Sequence, residues 1–270
     1  MLAKITASLY TLIVMRNKKS VIRTIALLVA LILLNCMSLS AYADQKIYKL
    51  PESVHISKCI IIVGDSRTSS LVGTINSDKN YKLLYYRSEP PELDAIFLKD
   101  NVLIAICSES AGYLDNGAFE RAFGRMNTLI SSDPNMSKTS NYYYFNLFGI
   151  NDVFMKGMDA INNPAKYIGI DEQIKDIWPQ VIKFYQFNAG EISYDGWLYN
   201  RGIMNNDIIE KYNMHLKSTE KVNVVDLYSY LKVFGYGTSD DSVDGHTKSG
   251  VHYDEETDWK ILNLIYSLAE

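Results

Sequence analysis

Cysteine is scarce in this chain, with three in 270 residues. That is too few for a disulfide scaffold. Histidine numbers four, and His55, His215, His246 and His252 stand among no Cys or His pairs at metal-ligand spacing. No metal site and no cofactor is expected. A surplus of charge is lacking too. Lysine and arginine number 27 against 31 acids, a formal net charge of -4. This gives no basic footprint for nucleic acid. Internal repeats and low-complexity segments are also missing. The apolar run "TIALLVALILL" (Thr24 to Leu34) has roughly ten residues, too short to cross a bilayer of about 30 Å comfortably.

The surroundings of that run are informative. Basic "MRNKKSVIR" (Met15 to Arg23) precedes it, and "AYAD" (Ala41 to Asp44) follows with small residues at the -3 and -1 positions of a cleavage site. A basic, then apolar, then A-x-A order reads as a secretory signal peptide over residues 1–43, cleaved after Ala43. Met15 offers an alternative start of translation. An uncleaved segment would instead anchor the chain. Asn35 before Cys36 argues against lipoprotein processing. The expected address is secreted or extracytoplasmic, with no stable membrane insertion after cleavage. Residues 44–56 read as a linker and 57–270 as one domain. Cys59 opens one expected strand and Cys107 closes another, so parallel neighbours hold them too far apart to pair.

What the chain does have is apolar runs alternating with helical patterns, within a 47% hydrophobic composition. Strands are expected at Lys58–Val63, Asn101–Cys107, Tyr142–Phe148, Val181–Phe187 and Val222–Leu227. They lack period-2 alternation, as strands buried on both faces do. Helices are expected at Phe119–Ile130, Ile168–Ile177, Asn206–Leu216 and Asp258–Leu268. In the last, Ile261, Leu264, Ile265 and Leu268 share one face. The alternation predicts one α/β domain with helices on both faces of a five-stranded, mainly parallel sheet. Asn80–Arg87 with Pro90-Pro91 reads as an insertion without an assigned role.

In open α/β sheets, sites form beyond the carboxyl ends of strands. The first strand ends in Gly64-Asp65-Ser66-Arg67, the second in "SESAGY" with Gly112, and the third in Gly149-Ile150-Asn151-Asp152. The fifth leads through a polar loop to "SGVH", with Ser249 and His252. These are the parts for acyl transfer. A serine needs a base to become a nucleophile, and a histidine in reach takes and returns the proton. The backbone N–H groups of Ser66 and Gly112 and the Asn151 side-chain amide suit an oxyanion, each donor being worth roughly 3–4 kcal/mol of barrier. The competing structural readings are a helix cap for Ser66, a turn former for Asn151 and a polar loop residue for His252.

"GDSRT", "AGY", "GINDV", "IIEKYNMHLK", "VVDLYSYL" and "SGVHYDEET" occur in an order and at a spacing that resemble the SGNH (GDSL) hydrolase superfamily, from about Lys58 to the end. The resemblance implies a three-layer, flavodoxin-like fold. It also implies Ser66 as nucleophile, His252 as base, and Gly112 and Asn151 as oxyanion donors. Asp65 and Asp152 are expected to support the site. Arg67 stands where leucine is commoner and reads either as a solvated rim charge or as a contact to an anionic substrate. The family's last block carries an acid three residues before the histidine, and here that position is Ser249. Loss of such an orienter costs up to about 10⁴ in kcat in the serine-protease template. Three readings stand: Ser249 or a backbone carbonyl orients His252, Asp244 or Asp254 swings in, or the site is catalytically weak. The expected function is an exported esterase cleaving O-acyl, chiefly O-acetyl, esters on a glycan or small molecule. The alternatives are an O-acyltransferase, a lipid or thioester hydrolase, and a degenerate domain that only binds acylated glycan.

Overall fold

In a computed structural model, residues 55–112, 117–132, 141–157, 181–218, 223–239 and 249–270 are described, with positions 174 and 176 and the pairs 242–243 and 246–247. Strands run at β1 Lys58–Gly64, β2 Lys82–Glu89, β3 Glu92–Lys99, β4 Val102–Glu109, β5 Tyr142–Asn146, β6 Val181–Phe187 and β7 Val224–Val225. Helices run at α1 Ser66–Ser77, α2 Ala118–Ser132, α3 Ile150–Lys156, α4 Trp197–Asn200, α5 Asn206–Ser218, α6 Leu227–Phe234 and α7 Glu255–Leu268. Two short strands, β8 Ser242–Val243 and β9 His246–Thr247, pair with each other.

The main sheet has the order β2-β3-β4-β1-β5-β6-β7. From β4 to β7 all pairings are parallel. These five strands are the expected ones, and β4-β1-β5-β6-β7 is the doubly wound order 2-1-3-4-5. The sheet nevertheless has seven strands, not five. The segment from Asn80 to Pro91 is no loose insertion. It supplies β2, which pairs antiparallel with β3, and β3 pairs antiparallel with β4. β2 is an edge strand in which the run Leu83–Tyr86 is bracketed by Lys82, Arg87 and Glu89, and of its side chains only Leu84 is buried. Asp100 and Asn101 (φ 48° and 65°) form the tight turn into β4, a conformation Asn and Asp tolerate.

Burial explains the layers. Ile60 and Ile62 point to one face of the sheet and Ile61 and Val63 to the other, and all four are 0–1% exposed. The first pair packs with Leu71 and Ile75 of α1, Leu231 of α6 and Leu262 and Ile265 of α7. The second pair packs with Phe119 and Met126 of α2 and Ile209 and Tyr212 of α5. The result is helix, sheet, helix. Cys59 and Cys107 are buried and unpaired. Their registered partners are Leu103 and Val63, four residues apart along parallel strands.

Three boundaries differ from expectation for local reasons. β5 stops at Asn146 because its side-chain oxygen accepts from the Phe148 N–H at 3.1 Å. The fifth parallel strand shrinks to Val224–Val225 because Asp226 caps α6, accepting from Ser229 N–H. α7 begins at Glu255 because Asp254 caps it. The helix expected at Ile168–Ile177 falls outside the described residues, apart from Ile174 and Asp176, which are helical. No helix among the described residues is long and apolar enough to cross a membrane. Residues 1–54, with the expected signal peptide and most of the linker, are not among them.

Candidate active site

β1 ends between β4 and β5, where the chain connections diverge to opposite sides of the sheet. Gly64 lets the chain turn there. A Cβ on it would sit 2.0 Å from Thr68 Oγ1 and 3.0 Å from Leu147 Cβ. Asp65 then caps α1, its side chain accepting from the Arg67 N–H at 3.0 Å. The cap role that competed for Ser66 therefore belongs to Asp65. Ser66 is the first residue of a helix of 12 residues, with its N–H among the unpaired donors of that end.

His252 arrives from the far end of the chain. Its Nε2 lies 2.8 Å from Ser66 Oγ, within hydrogen-bond reach for proton transfer. The loop that carries it is tied down residue by residue. Ser249 O accepts from Leu198 N–H at 3.4 Å and Gly250 O from Ser193 N–H at 2.9 Å. His252 O accepts from Ser239 N–H at 3.0 Å, and Asp254 N–H donates to Gly237 O at 3.1 Å. Gly250 (φ 78°) lies so close to Gly196 that a Cβ on either would meet the other's Cα within 2.8 Å.

The acids and the hydroxyl expected to orient the base have distinct situations. Ser249 is 1% exposed, and its Oγ accepts from Val251 N–H. Asp254 Oδ1 accepts from Thr257 N–H at 2.8 Å as the cap of α7. Asp244 lies outside the described residues.

Asn151 sits in the first turn of α3, and its Nδ2 donates to Gly112 O at 3.1 Å. This brings the third strand's end against the second's. The Gly112 N–H, expected at the oxyanion, instead donates to Glu109 O at 2.9 Å. That bond closes a turn with Ala111 in the left-handed region, at φ 56°. Of the three donors expected at the oxyanion, Ser66 N–H and the Asn151 amide are not engaged in that turn. Asp152 is buried in the first turn of α3.

Asp65 is fully buried and one of its oxygens has no hydrogen-bond partner. Burial pushes its carboxyl up to about 6, against the pull of the neighbouring Arg67 cation and Arg67 N–H. Desolvation penalises the charged form.

Sequence reasoning missed two features. Arg67 is neither a solvated rim charge nor an open substrate contact. It is 8% exposed and donates to three backbone carbonyls. The second feature is the segment from Gly190 to Asn200, which packs directly on the loop carrying His252. There Tyr194 is 52% exposed, its hydroxyl donating to the buried Glu191 carboxylate at 3.0 Å. Its ring meets Tyr199 edge-on, with centroids 4.9 Å apart. Tyrosine numbers 20 in the chain, but no pattern in the sequence singled out these two.

No protein-family model matches the sequence, and no curated protein matches it. Solved structures do. A protein described as a GDSL-like lipase from Parabacteroides merdae shares 10% identity at a TM-score of 0.50, over 80% of this chain and 97% of that one. An acetyl xylan esterase shares 13% identity at a TM-score of 0.44, over 78% of this chain and 98% of the other. A Bacteroides fragilis protein described as an acylhydrolase shares 14% identity at 0.42, over 86% and 95%. The first likeness shows the fold that this chain has.

Proposed function

We propose that this chain is an SGNH-type serine esterase. The observation that carries the reading is the 2.8 Å approach of His252 Nε2 to Ser66 Oγ, at the strand edge where the doubly wound order places sites. Ser66 Oγ attacks the acyl carbon while His252 Nε2 takes its proton. The tetrahedral oxyanion is held by Ser66 N–H and an Asn151 amide hydrogen, helped by the positive end of α1. The proton returns from His252 to the departing alcohol oxygen, leaving the acyl group on Ser66. Water then loses a proton to His252 and attacks the acyl carbon; as the bond to Ser66 Oγ breaks, His252 returns that proton to Oγ, which restores the serine and releases the carboxylic acid.

For the substrate we infer an O-acyl, chiefly O-acetyl, ester carried by a sugar. The exposed Tyr194 ring beside the base loop supports this reading, because a fixed aromatic face suits a pyranose. Export through residues 1–43 belongs to the same proposal, and mass spectrometry of the secreted protein should find Asp44 at its N-terminus.

The test is labelling with a fluorophosphonate and turnover of p-nitrophenyl acetate, each against Ser66→Ala. The wild type labels and turns over, and the variant does neither while keeping its fold. Equal behaviour of the two proteins would leave the degenerate glycan-binding reading in its place.

A further inference from the structure

We propose that Arg67 is the residue that positions the base, a staple between the helix carrying Ser66 and the loop carrying His252. The proposal rests on reading Ser66 and His252 as the reacting pair. Arg67 directly follows Ser66 in the chain, and Val251 directly precedes His252. Arg67 Nε donates to Val251 O at 2.7 Å. Its two terminal nitrogens donate to Gly190 O at 3.0 Å and Glu191 O at 3.1 Å. One planar fork thus joins three segments: the nucleophile turn, the base loop and the chain after β6. Only a guanidinium presents several N–H donors in one rigid plane.

Tyr253, on the other side of His252, completes the clamp. Arg67 Cζ lies 4.4 Å from its ring centroid, within cation–π range. The Tyr253 hydroxyl donates to Glu191 O at 2.9 Å, the same carbonyl that Arg67 holds. Both neighbours of His252 are therefore fixed by one buried cation and its partners. A buried charge is costly unless its hydrogen bonds are made, and charge-assisted bonds are the strong ones. A leucine at this position would hold none of these carbonyls.

The arrangement bears on the position where the resemblance places an acid and this chain has Ser249. In a triad the acid orients the imidazole and stabilises its charged form. Ser249 brings no charge. Arg67 takes over part of the orienting work by holding the backbone on either side of the base. Displacing that backbone by about 1 Å is enough to cost about a hundredfold in rate.

Arg67→Met and Arg67→Lys test this, with two readouts. Arg67→Met should lower kcat for p-nitrophenyl acetate about a hundredfold, leave KM nearly unchanged, and slow fluorophosphonate labelling in parallel. The second readout is the His252 imidazole ¹⁵N signal. With Arg67 in place, Ser66→Ala shifts the Nε2 resonance; in the Arg67→Met background it no longer does. Should Arg67→Met fail to fold, Arg67→Lys decides, since it keeps a cation over Tyr253 but cannot reach three carbonyls. Undiminished labelling and a persisting Ser66–His252 coupling in a variant with lowered stability would overturn the proposal, reducing Arg67 to a stabilising residue. Failure of the esterase reading looks different: the wild type would match Ser66→Ala in turnover, while the ¹⁵N comparison would still report on Arg67.

Discussion

Ser249 Oγ accepts a hydrogen bond from the Val251 N–H, 3.3 Å away and two residues further on. The hydroxyl at the place of the expected acid thus shapes its own loop, as serine does in turns. With the loop already held by Arg67, Ser249→Asp should raise kcat less than about tenfold, against the 10⁴ or so that removing an acid costs in the protease template. Steady-state kinetics on p-nitrophenyl acetate decides. A rise of about a hundredfold or more would mean that the charge itself was missing.

Asp258 on α7 makes stability depend on pH. Its carboxyl accepts from Thr74 Oγ1 at 3.1 Å, and its other oxygen is buried without a hydrogen-bond partner. Burial pushes its pKa up to about 7; the nearby Asp254 adds to the rise, while Ser70, Thr74 and Arg67 oppose it. A carboxyl raised in the folded state holds its proton where the unfolded chain has lost it. Its contribution is full below about pH 4 and is lost as pH rises to about 7, at a slope of up to about 1.4 kcal/mol per pH unit. Asp258→Asn should match the wild type near pH 4 and exceed it in stability above pH 7. Urea unfolding across that range would show parallel curves if the assignment is wrong.

Two glycines should respond oppositely to alanine. In Gly196→Ala the new Cβ meets Gly250 Cα and Ser249 O, both at 2.7 Å. These are backbone atoms of the base loop, so the loop must shift. The expected cost is about 1–3 kcal/mol, with a loss of labelling at Ser66. Gly124 lies inside α2, and a Cβ added there would have nothing within 4 Å. Gly124→Ala should stabilise by about 0.5–1 kcal/mol and leave activity alone. Chemical denaturation of both variants compares them directly.

Tyr194→Ala tests the sugar reading. An aromatic contact is worth about 0.5–1.5 kcal/mol, so KM for an acetylated oligosaccharide should rise about twofold to tenfold. KM for p-nitrophenyl acetate, which has no pyranose, should stay where it was. Equal effects on both substrates would remove Tyr194 from the acceptor side.

Much of the frame was legible in the residues because it is local. Ile60 to Val63 read as a doubly buried strand, and both faces are indeed covered. The face shared by Ile261, Leu264, Ile265 and Leu268 announced α7. The antiparallel pair β2–β3 was not legible as a pair: β3 does carry a buried apolar run, Ala95–Phe97, but the short run Leu83–Tyr86 of β2 is bracketed by charged residues and half open to water at the sheet edge. α1 was missed as well, because "SRTSSLVGTINS" is polar and its helix depends on the Asp65 cap and on packing against the sheet.

The candidate site divides in the same way. Which residue types stand at the strand ends is a local matter, and the sequence by itself determined that a serine, a histidine and an asparagine are available there. Whether they meet is a matter of distances between segments far apart in the chain, and only the tertiary structure decided it. It set His252 beside Ser66, turned the Gly112 N–H into a turn bond and committed Asp254 to a helix cap. It also buried the Arg67 guanidinium against Val251, Gly190 and Glu191. The physical reason is that a charged side chain reads as solvated until three carbonyls from distant loops are brought to it, and nothing in its neighbours along the chain records that encounter.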